Sequence, residues 1–347
     1  MSTLALLLVL VLTCSASSAQ RVQSKFHTDS ATVSVTVIVD RFGSGNFTTV
    51  QQAIDWAPTN NNQWIRIHVK AGTYTEQVSI PQNKPYILLE GEGRKTIIQS
   101  GGHGSVRGTS TFTVNADNFV ASRITFKNTY NVNKLIARDQ DAAPNARPHI
   151  ERAPAVMIWG DKASFYACGF VSLQDTLSDM QGRHYFNDCY IEGAVDFIWG
   201  FGQSIYEHCH IYSTHAFRGR LRGLAGYITA QGRLSSNDSS GFVFKYCIVN
   251  GDGNTYLGRA YRAYSRVIFF KSKLGGNVVP EGWNAGKFVG EEFQFTYAEE
   301  GCYGPGSNNS NRVKWMKTLN QRELAPLVSR HRFIDRDGWI KAQPSPS

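Results

Sequence analysis

Asp175 and Asp196 stand twenty-one residues apart, in the segments Gln174-Asp175-Thr176-Leu177 and Asp196-Phe197-Ile198-Trp199-Gly200. Two carboxyl groups brought side by side cannot both ionise freely, so one tends to hold a proton while the other is bare. Such a pair combines an acid with a base or nucleophile, a common equipment for hydrolysis. The two meet only if the intervening chain brings them together. That chain repeats at nearly the same period. If one repeat is one turn of a coil of parallel strands, the carboxylates lie on adjacent strands about 4.8 Å apart.

The elements around the pair fit such a coil. Short runs rich in Val, Ile, Phe and Tyr follow one another, separated by Gly and Asn: Trp64–Val69, Tyr86–Leu89, Thr96–Gln99, Phe119–Phe126, Phe165–Val171, His184–Ile191, Ser204–Ile211, Phe242–Val249 and Arg266–Leu274. Ser122, Cys168, Cys189, Cys209, Cys247 and Ser272 each sit inside such a run, and the intervals from Cys168 to Cys189 to Cys209 are 21 and 20 residues. A repeat of this length with little helical periodicity predicts an all-β solenoid, a parallel β-helix, with the small residues stacked as an interior ladder. Stacked cysteines could also pair as disulfides where geometry permits. One helix is readable early. Thr48 and Gln51 suggest a capping box, Val50, Ala53, Ile54 and Ala57 mark one face, and Pro58 ends it. This short N-terminal helix would cap the open end of the coil. Residues 131–152 and 303–312 read as loops, which build the cleft on a rigid scaffold.

The chain opens with an apolar run, Leu4–Leu12, followed by small residues and a plausible cleavage site at Ser17-Ser18-Ala19. Residues 1–19 therefore read as a secretory leader, 20–35 as an extension, 36–341 as the β-helix domain and 342–347 as a disordered tail. The run is too short to span a bilayer, so a secreted, extracellular protein without a membrane anchor is expected. The net charge of +9 suits an anionic partner such as an acidic polysaccharide. No nucleic-acid motif accompanies it. Five cysteines follow the leader, an odd number, and no CxxC zinc pattern occurs. Sequons at Asn46, Asn237 and Asn308 are compatible with secretion.

Four blocks occur in order: Gly72-Thr73-Tyr74-Thr75-Glu76, Gln174-Asp175-Thr176-Leu177, Asp196-Phe197-Ile198-Trp199-Gly200 and Leu257-Gly258-Arg259. Together they resemble the signature blocks of the plant pectin methylesterases, over about Thr36 to Lys341 and without the inhibitor-like pro-region of some members. The resemblance implies a right-handed parallel β-helix whose shallow cleft holds polygalacturonate. It implies hydrolysis of C6 methyl esters to pectate and methanol in the cell wall. Asp196 would be the nucleophile, forming an acyl-enzyme, and Asp175 the general acid and then base. Arg259 can pair with Asp196 and keep it ionised. Gln174 can donate to the oxyanion. Arg259, Tyr261, Trp199 and Thr111 are the expected substrate contacts, with Tyr264 a further aromatic near the cleft. No cofactor and no metal is expected. The expected partners are methylated homogalacturonan and a proteinaceous inhibitor, and the expected state is a monomer. The serine-esterase elbow Gly-x-Ser-x-Gly is absent.

The chain departs from the family pattern at two places. Pro154-Ala155-Val156 stands where Gln-Ala-Val is common, which removes one side-chain oxyanion donor. Ala260-Tyr261 stands where Pro-Trp is common. The proline raises an alternative, a catalytically weak pectin-binding protein. A pectin lyase or polygalacturonase on the same fold class is a third reading.

Overall fold

The computed structural model describes residues 31–104, 108–134, 150–214 and 225–345. The expected leader and most of the loop at 131–152 lie outside the described residues. The chain winds into three parallel sheets of ten, eight and eight strands. In each sheet, neighbouring strands come from successive turns of the coil. This is the expected parallel β-helix. Each complete turn runs from the ten-stranded sheet, through a sharp corner, into one eight-stranded sheet. It then crosses a loop into the second eight-stranded sheet, here called the cleft sheet. One such turn comprises Ala163–Tyr166, Gly169–Val171 and Leu177–Asp179.

The sharp corner divides runs that read as single strands. Phe119–Phe126, for example, contains two strands, Phe119–Ser122 and Thr125–Asn128. Between each pair stands one residue in the left-handed region: Arg123, Ala167, Asp188, His208, Tyr246 and Lys271, with φ between 47° and 56°. Gly301 repeats the conformation at φ 62°. The residue after each of these forms the ladder: Ile124, Cys168, Cys189, Cys209, Cys247, Ser272 and Cys302. Ser122 therefore does not belong to it, because Ser122 pairs with Tyr166 rather than with Cys168. The ladder cysteines are free. Their thiols donate to carbonyls one turn back, as from Cys189 to Phe165 O (3.4 Å) and from Cys247 to Tyr206 O (3.3 Å). Burial pushes the Cys168 thiol up to about 12 and that of Cys302 to about 11, so neither is a thiolate at neutral pH.

Aromatic rings stack behind the ten-stranded sheet. Phe165, Phe186, Tyr206, Phe244 and Phe269 follow one another at centroid separations of 5.0, 4.5, 4.6 and 4.5 Å. One polar cluster interrupts this interior. Asp179 accepts from the Tyr206 hydroxyl (2.7 Å) and faces His184 Nδ1 (2.5 Å), while His184 Nε2 donates to Gly160 O (2.9 Å). All three side chains are buried, and the Asp179 carboxyl raises the His184 pKa against the effect of burial.

The early helix spans Val50–Trp56, and its cap lies one residue later than the sequence suggests. Thr49 accepts from Gln52 N–H, and Gln52 reaches back to Thr48. The Glu76 carboxylate also binds the N–H groups of Val50 and Gln51 (2.9 and 3.0 Å), so the first signature block fastens the cap helix to the coil. At the other end, helices Gln321–Val328 and Arg330–Phe333 lead into a segment that covers the outer face of the ten-stranded sheet. Leu324, Phe333, Ile334 and Trp339 pack there against Tyr185, Ile205, Val243 and Ile268. The tail is ordered further than expected. Gln343 is buried, accepting from the Ser164 hydroxyl and donating to Lys162 O. The first strand likewise begins at Val33, before the expected domain start.

Removing His184 strands the Asp179 charge inside the coil. His184→Leu should lower unfolding free energy by about 3–5 kcal/mol in chemical denaturation, the range for breaking one half of a buried pair. An unchanged transition would contradict this account of the cluster.

Candidate active site

Asp175 lies in the loop that enters the cleft sheet at Leu177–Asp179, and Asp196 lies one turn later near the start of the strand Val195–Gly200. Gln174 bridges Val195, and Leu177 pairs with Ile198 one strand over. That register sets Asp175 beside Asp196, as the spacing predicts, and Asp175 N–H donates to Val195 O (3.2 Å). Both aspartates adopt left-handed backbone, at φ 60° and 49°. Asp is among the few non-glycine residues that enter this region readily.

Arg259 reaches the pair from two strands further along. Ser178, Trp199, Ala230 and Arg259 are consecutive partners across the cleft sheet. Arg259 Nε donates to Asp196 Oδ1 (2.8 Å), and Nη2 makes a second bond to Oδ2. This fork is the strong, oriented form of the guanidinium–carboxylate pair. The guanidinium also lies over the Tyr227 ring, 4.4 Å from its centroid. Tyr227 in turn stacks on Tyr256 at 5.2 Å and 12°.

The two carboxyls differ in their surroundings. Asp175 is 5% exposed. Burial, reinforced by the charge on Asp196, lifts its pKa to about 7, with Arg152 and Arg259 opposing. Burial also raises Asp196, but the Arg259 hydrogen bonds and charge pull it back. The site thus presents a carboxylate clamped by a cation beside a carboxyl that can give or take a proton near neutrality. That combination suits attack on a carbonyl with proton transfer to a leaving group.

The surrounding cleft has a volume of about 340 Å³ and is lined by Gln174, Trp199 and Tyr261 as well as the acidic pair and Arg259. Trp199 and Tyr261 meet edge to face at 5.8 Å, and the Trp199 indole donates to Ser178 Oγ. Thr111 does not reach this cleft. It is fully buried, and its hydroxyl bonds Ser100 and Lys127 O. Tyr264 is half-buried and absent from the lining. Three further residues belong to the site. Arg152 lines it with Nε 3.9 Å from Asp175 Oδ2, Lys287 lines it near Gly286, and Tyr227 supports Arg259. Pro154 is buried, and its carbonyl accepts from Thr111 N–H and Asn128 Nδ2.

Two outcomes test this geometry. A buried carboxyl whose folded pKa lies above its unfolded value stabilises the fold less as pH rises through that interval. Asp175→Asn should therefore gain stability relative to the parent between about pH 4 and 7, then hold a constant difference, in urea titrations at several pH values. Equal pH dependence in both proteins would refute the raised Asp175 pKa. Tyr227→Leu removes the ring under Arg259, whereas Tyr227→Phe keeps it. Loss of that cation–π contact should weaken the Asp196 clamp by about 0.5–2 kcal/mol. Carboxyl titration followed by NMR should show a higher Asp196 pKa in Tyr227→Leu but not in Tyr227→Phe.

A model of the pectinesterase family matches residues 36–337. "Probable pectinesterase 29" of Arabidopsis thaliana is 49% identical over 315 residues, 90% of each chain. "Probable pectinesterase 55" of the same plant is 49% identical over 310 residues, 89% of this chain and 91% of its own. Among solved structures, the pectin methylesterase from carrot is 29% identical with a TM-score of 0.78, covering 90% of this chain and 97% of its own. A right-handed parallel β-helix carrying this paired-aspartate cleft, matched along nearly its whole length, makes the chain a member of the pectinesterase family of carboxylic ester hydrolases.

Proposed function

We propose that this protein hydrolyses the C6 methyl esters of polygalacturonate, giving pectate and methanol, with Asp196 as nucleophile and Asp175 as proton carrier. The bidentate Arg259–Asp196 pair beside a carboxyl with a raised pKa is the observation that carries the assignment. Asp196 Oδ attacks the ester carbonyl carbon, and the negative charge passes to the carbonyl oxygen. The Gln174 amide is the side-chain donor for that oxyanion, with the positive charge of Arg152 nearby. As the intermediate collapses, the carbon–methoxy bond breaks and protonated Asp175 delivers its proton to the departing oxygen. Methanol leaves and an Asp196 acyl anhydride remains. Asp175, now ionised, takes a proton from water as the water oxygen attacks the acyl carbon. The galacturonate carboxyl is released, Asp196 is regenerated as a carboxylate, and the Asp175 proton is restored.

Trp199 and Tyr261 offer apolar and hydrogen-bonding faces to the sugar chain, and Arg259 doubles as a substrate contact. Asn46, Asn237 and Asn308 are exposed, as glycosylation requires. Among the described residues no helix is long and apolar enough to cross a bilayer. Action at the extracellular wall, by a monomer that a proteinaceous inhibitor could block, completes the proposal. The binding-only alternative rested on Pro154 alone. No other feature of the site favours it, since both aspartates, Arg259 and Gln174 line one cleft.

Methanol release from highly methylated pectin tests the proposal. The parent chain should turn over, and Asp196→Ala should lose at least about 100-fold in rate. With Asp175 needed in its acid form, kcat/KM should fall as pH rises through about 7. No methanol above the Asp196→Ala control would overturn the assignment. Shortened chains or unsaturated products would point instead to a polygalacturonase or lyase.

A further inference from the structure

Ester hydrolysis by the acidic pair moves one negative charge through three stations. In the free enzyme it rests on Asp196, held by the Arg259 fork. Attack passes it to the carbonyl oxygen. Collapse of the intermediate then breaks the carbon–methoxy bond, the departing oxygen takes the Asp175 proton, and the charge ends on Asp175. The acyl-enzyme is therefore the reverse of the free enzyme, with Asp196 neutral in an anhydride and Asp175 ionised. Deacylation by water returns the charge to Asp196.

Arg259 is committed to the first station. The other two have less evident support. Gln174 is the only side-chain amide among the residues that line the cleft. Among the described residues, Arg152 is the one cation within 4 Å of the Asp175 carboxyl, with Nε 3.9 Å from Oδ2. That separation is too long for a hydrogen bond, as suits a neutral Asp175. The Arg152 side chain is 63% exposed, so closing the last ångström displaces water rather than protein. A polymer lying in the cleft would exclude that water and strengthen the charge. Lys287, the remaining cation of the lining, lies over the Phe288 ring, 5.6 Å from its centroid.

The backbone that carries Arg152 is held on both sides. Gly104 N–H donates to Arg152 O (3.0 Å), and Ala153 N–H donates to Gln174 O (3.2 Å). The buried Asn131 side chain binds Glu151 twice, through Nδ2 to the carbonyl (2.7 Å) and Oδ1 to the N–H (3.0 Å). The Glu151 carboxylate accepts from Lys134 and from the Tyr130 hydroxyl, so the acid adjacent to Arg152 is already matched by a cation. Arg152 thus stands on a fixed base, linked directly to the residue that bears the amide donor.

We propose that Arg152 is a catalytic residue: a second oxyanion donor beside Gln174, and the cation that binds Asp175 once Asp175 has given up its proton. Arg259 serves the charge where it starts, and Arg152 serves it where it arrives. This role rests on the pectinesterase reading of the cleft.

The test is methanol release by the full chain on fully methyl-esterified polygalacturonate, which offers no carboxylate for an arginine to recognise. Arg152→Gln should lower kcat/KM about 100-fold, the size of one lost oxyanion donor, with the loss in kcat rather than in KM. The charged groups facing Asp175 are Asp196, Arg152 and Arg259, and the Arg152 charge holds the Asp175 pKa down. Its removal keeps the acid form to higher pH, so the alkaline fall in kcat/KM should move upward. Arg152→Lys retains the charge and should restore the parental pH profile. A loss confined to partly de-esterified pectin, or carried by KM alone, would overturn the proposal, as would an unmoved alkaline fall in Arg152→Gln. Absence of methanol from the parent chain would instead overturn the pectinesterase reading itself.

Discussion

The in-register backbone pairing between successive turns is the constraint on which the site depends. A parallel ladder leaves no freedom in which residues face each other once one pair is set. Here the interior sets it. The aromatic stack from Phe165 to Phe269 and the thiol ladder from Cys168 to Cys247 each lose their packing if any turn slips by one residue. The same register that aligns Phe165 with Phe186 aligns Gln174 with Val195, and so places two carboxyls that would otherwise repel beside each other. The coil core holds the like charges together, and their mutual repulsion contributes to the raised Asp175 pKa.

Proximity alone would make the aspartates equivalent. Arg259 makes them different, and its position follows from the same ladder, since it shares a row with Trp199 and Ala230. Its fork fixes both oxygens of Asp196, while Asp175 meets Arg152 at 3.9 Å and feels Arg259 through its charge. Tyr227 and Tyr256, paired on adjacent strands, continue the stack beneath the guanidinium. The strongly basic side chain is thus held between a carboxylate and an aromatic ring that parallel strands bring into line.

The period, the ladder and the acidic pair were legible because they are written as repeats of residue type. The corners were not. A left-handed residue is readable when it is Gly or Asn, but here the turn is taken by Arg123, Ala167, His208, Tyr246 and Lys271, which carry no such signal. Runs that should have been divided therefore read as continuous, and Ser122 was assigned to a ladder that Ile124 occupies. Thr111 looked like a contact from its place along the chain, yet it faces the interior hydroxyls. Arg152 and Lys287 reach the cleft from loops, where no periodicity announces direction. The C-terminal covering segment did leave a mark, because Asn320 and Glu323 have capping-box spacing and form one. Its docking on the ten-stranded sheet depends on Leu324, Phe333 and Trp339, which no local pattern links to Ile205 or Val243.

The strain at the acidic pair follows from the same geometry. Non-glycine residues in the left-handed region cost about 1–3 kcal/mol each, and both Asp175 and Asp196 are there. Glycine would relieve that cost at each position but carries no carboxyl. Asp reconciles the two demands, because its short polar side chain tolerates the turn better than most. The left-handed backbone then aims both side chains out of the coil and into the cleft, while Val156–Ile158 pairs without a break with Leu177–Asp179, and a bulge at Asp196-Phe197 is absorbed between the Val195–Tyr227 and Ile198–Thr229 pairs. The strain is local and the restraint is distributed over the whole ladder. A flexible loop could present two aspartates without strain, but it could not hold them at a fixed separation with one clamped and the other protonated. In this protein the rigidity of the coil and the reactivity of the pair have one origin.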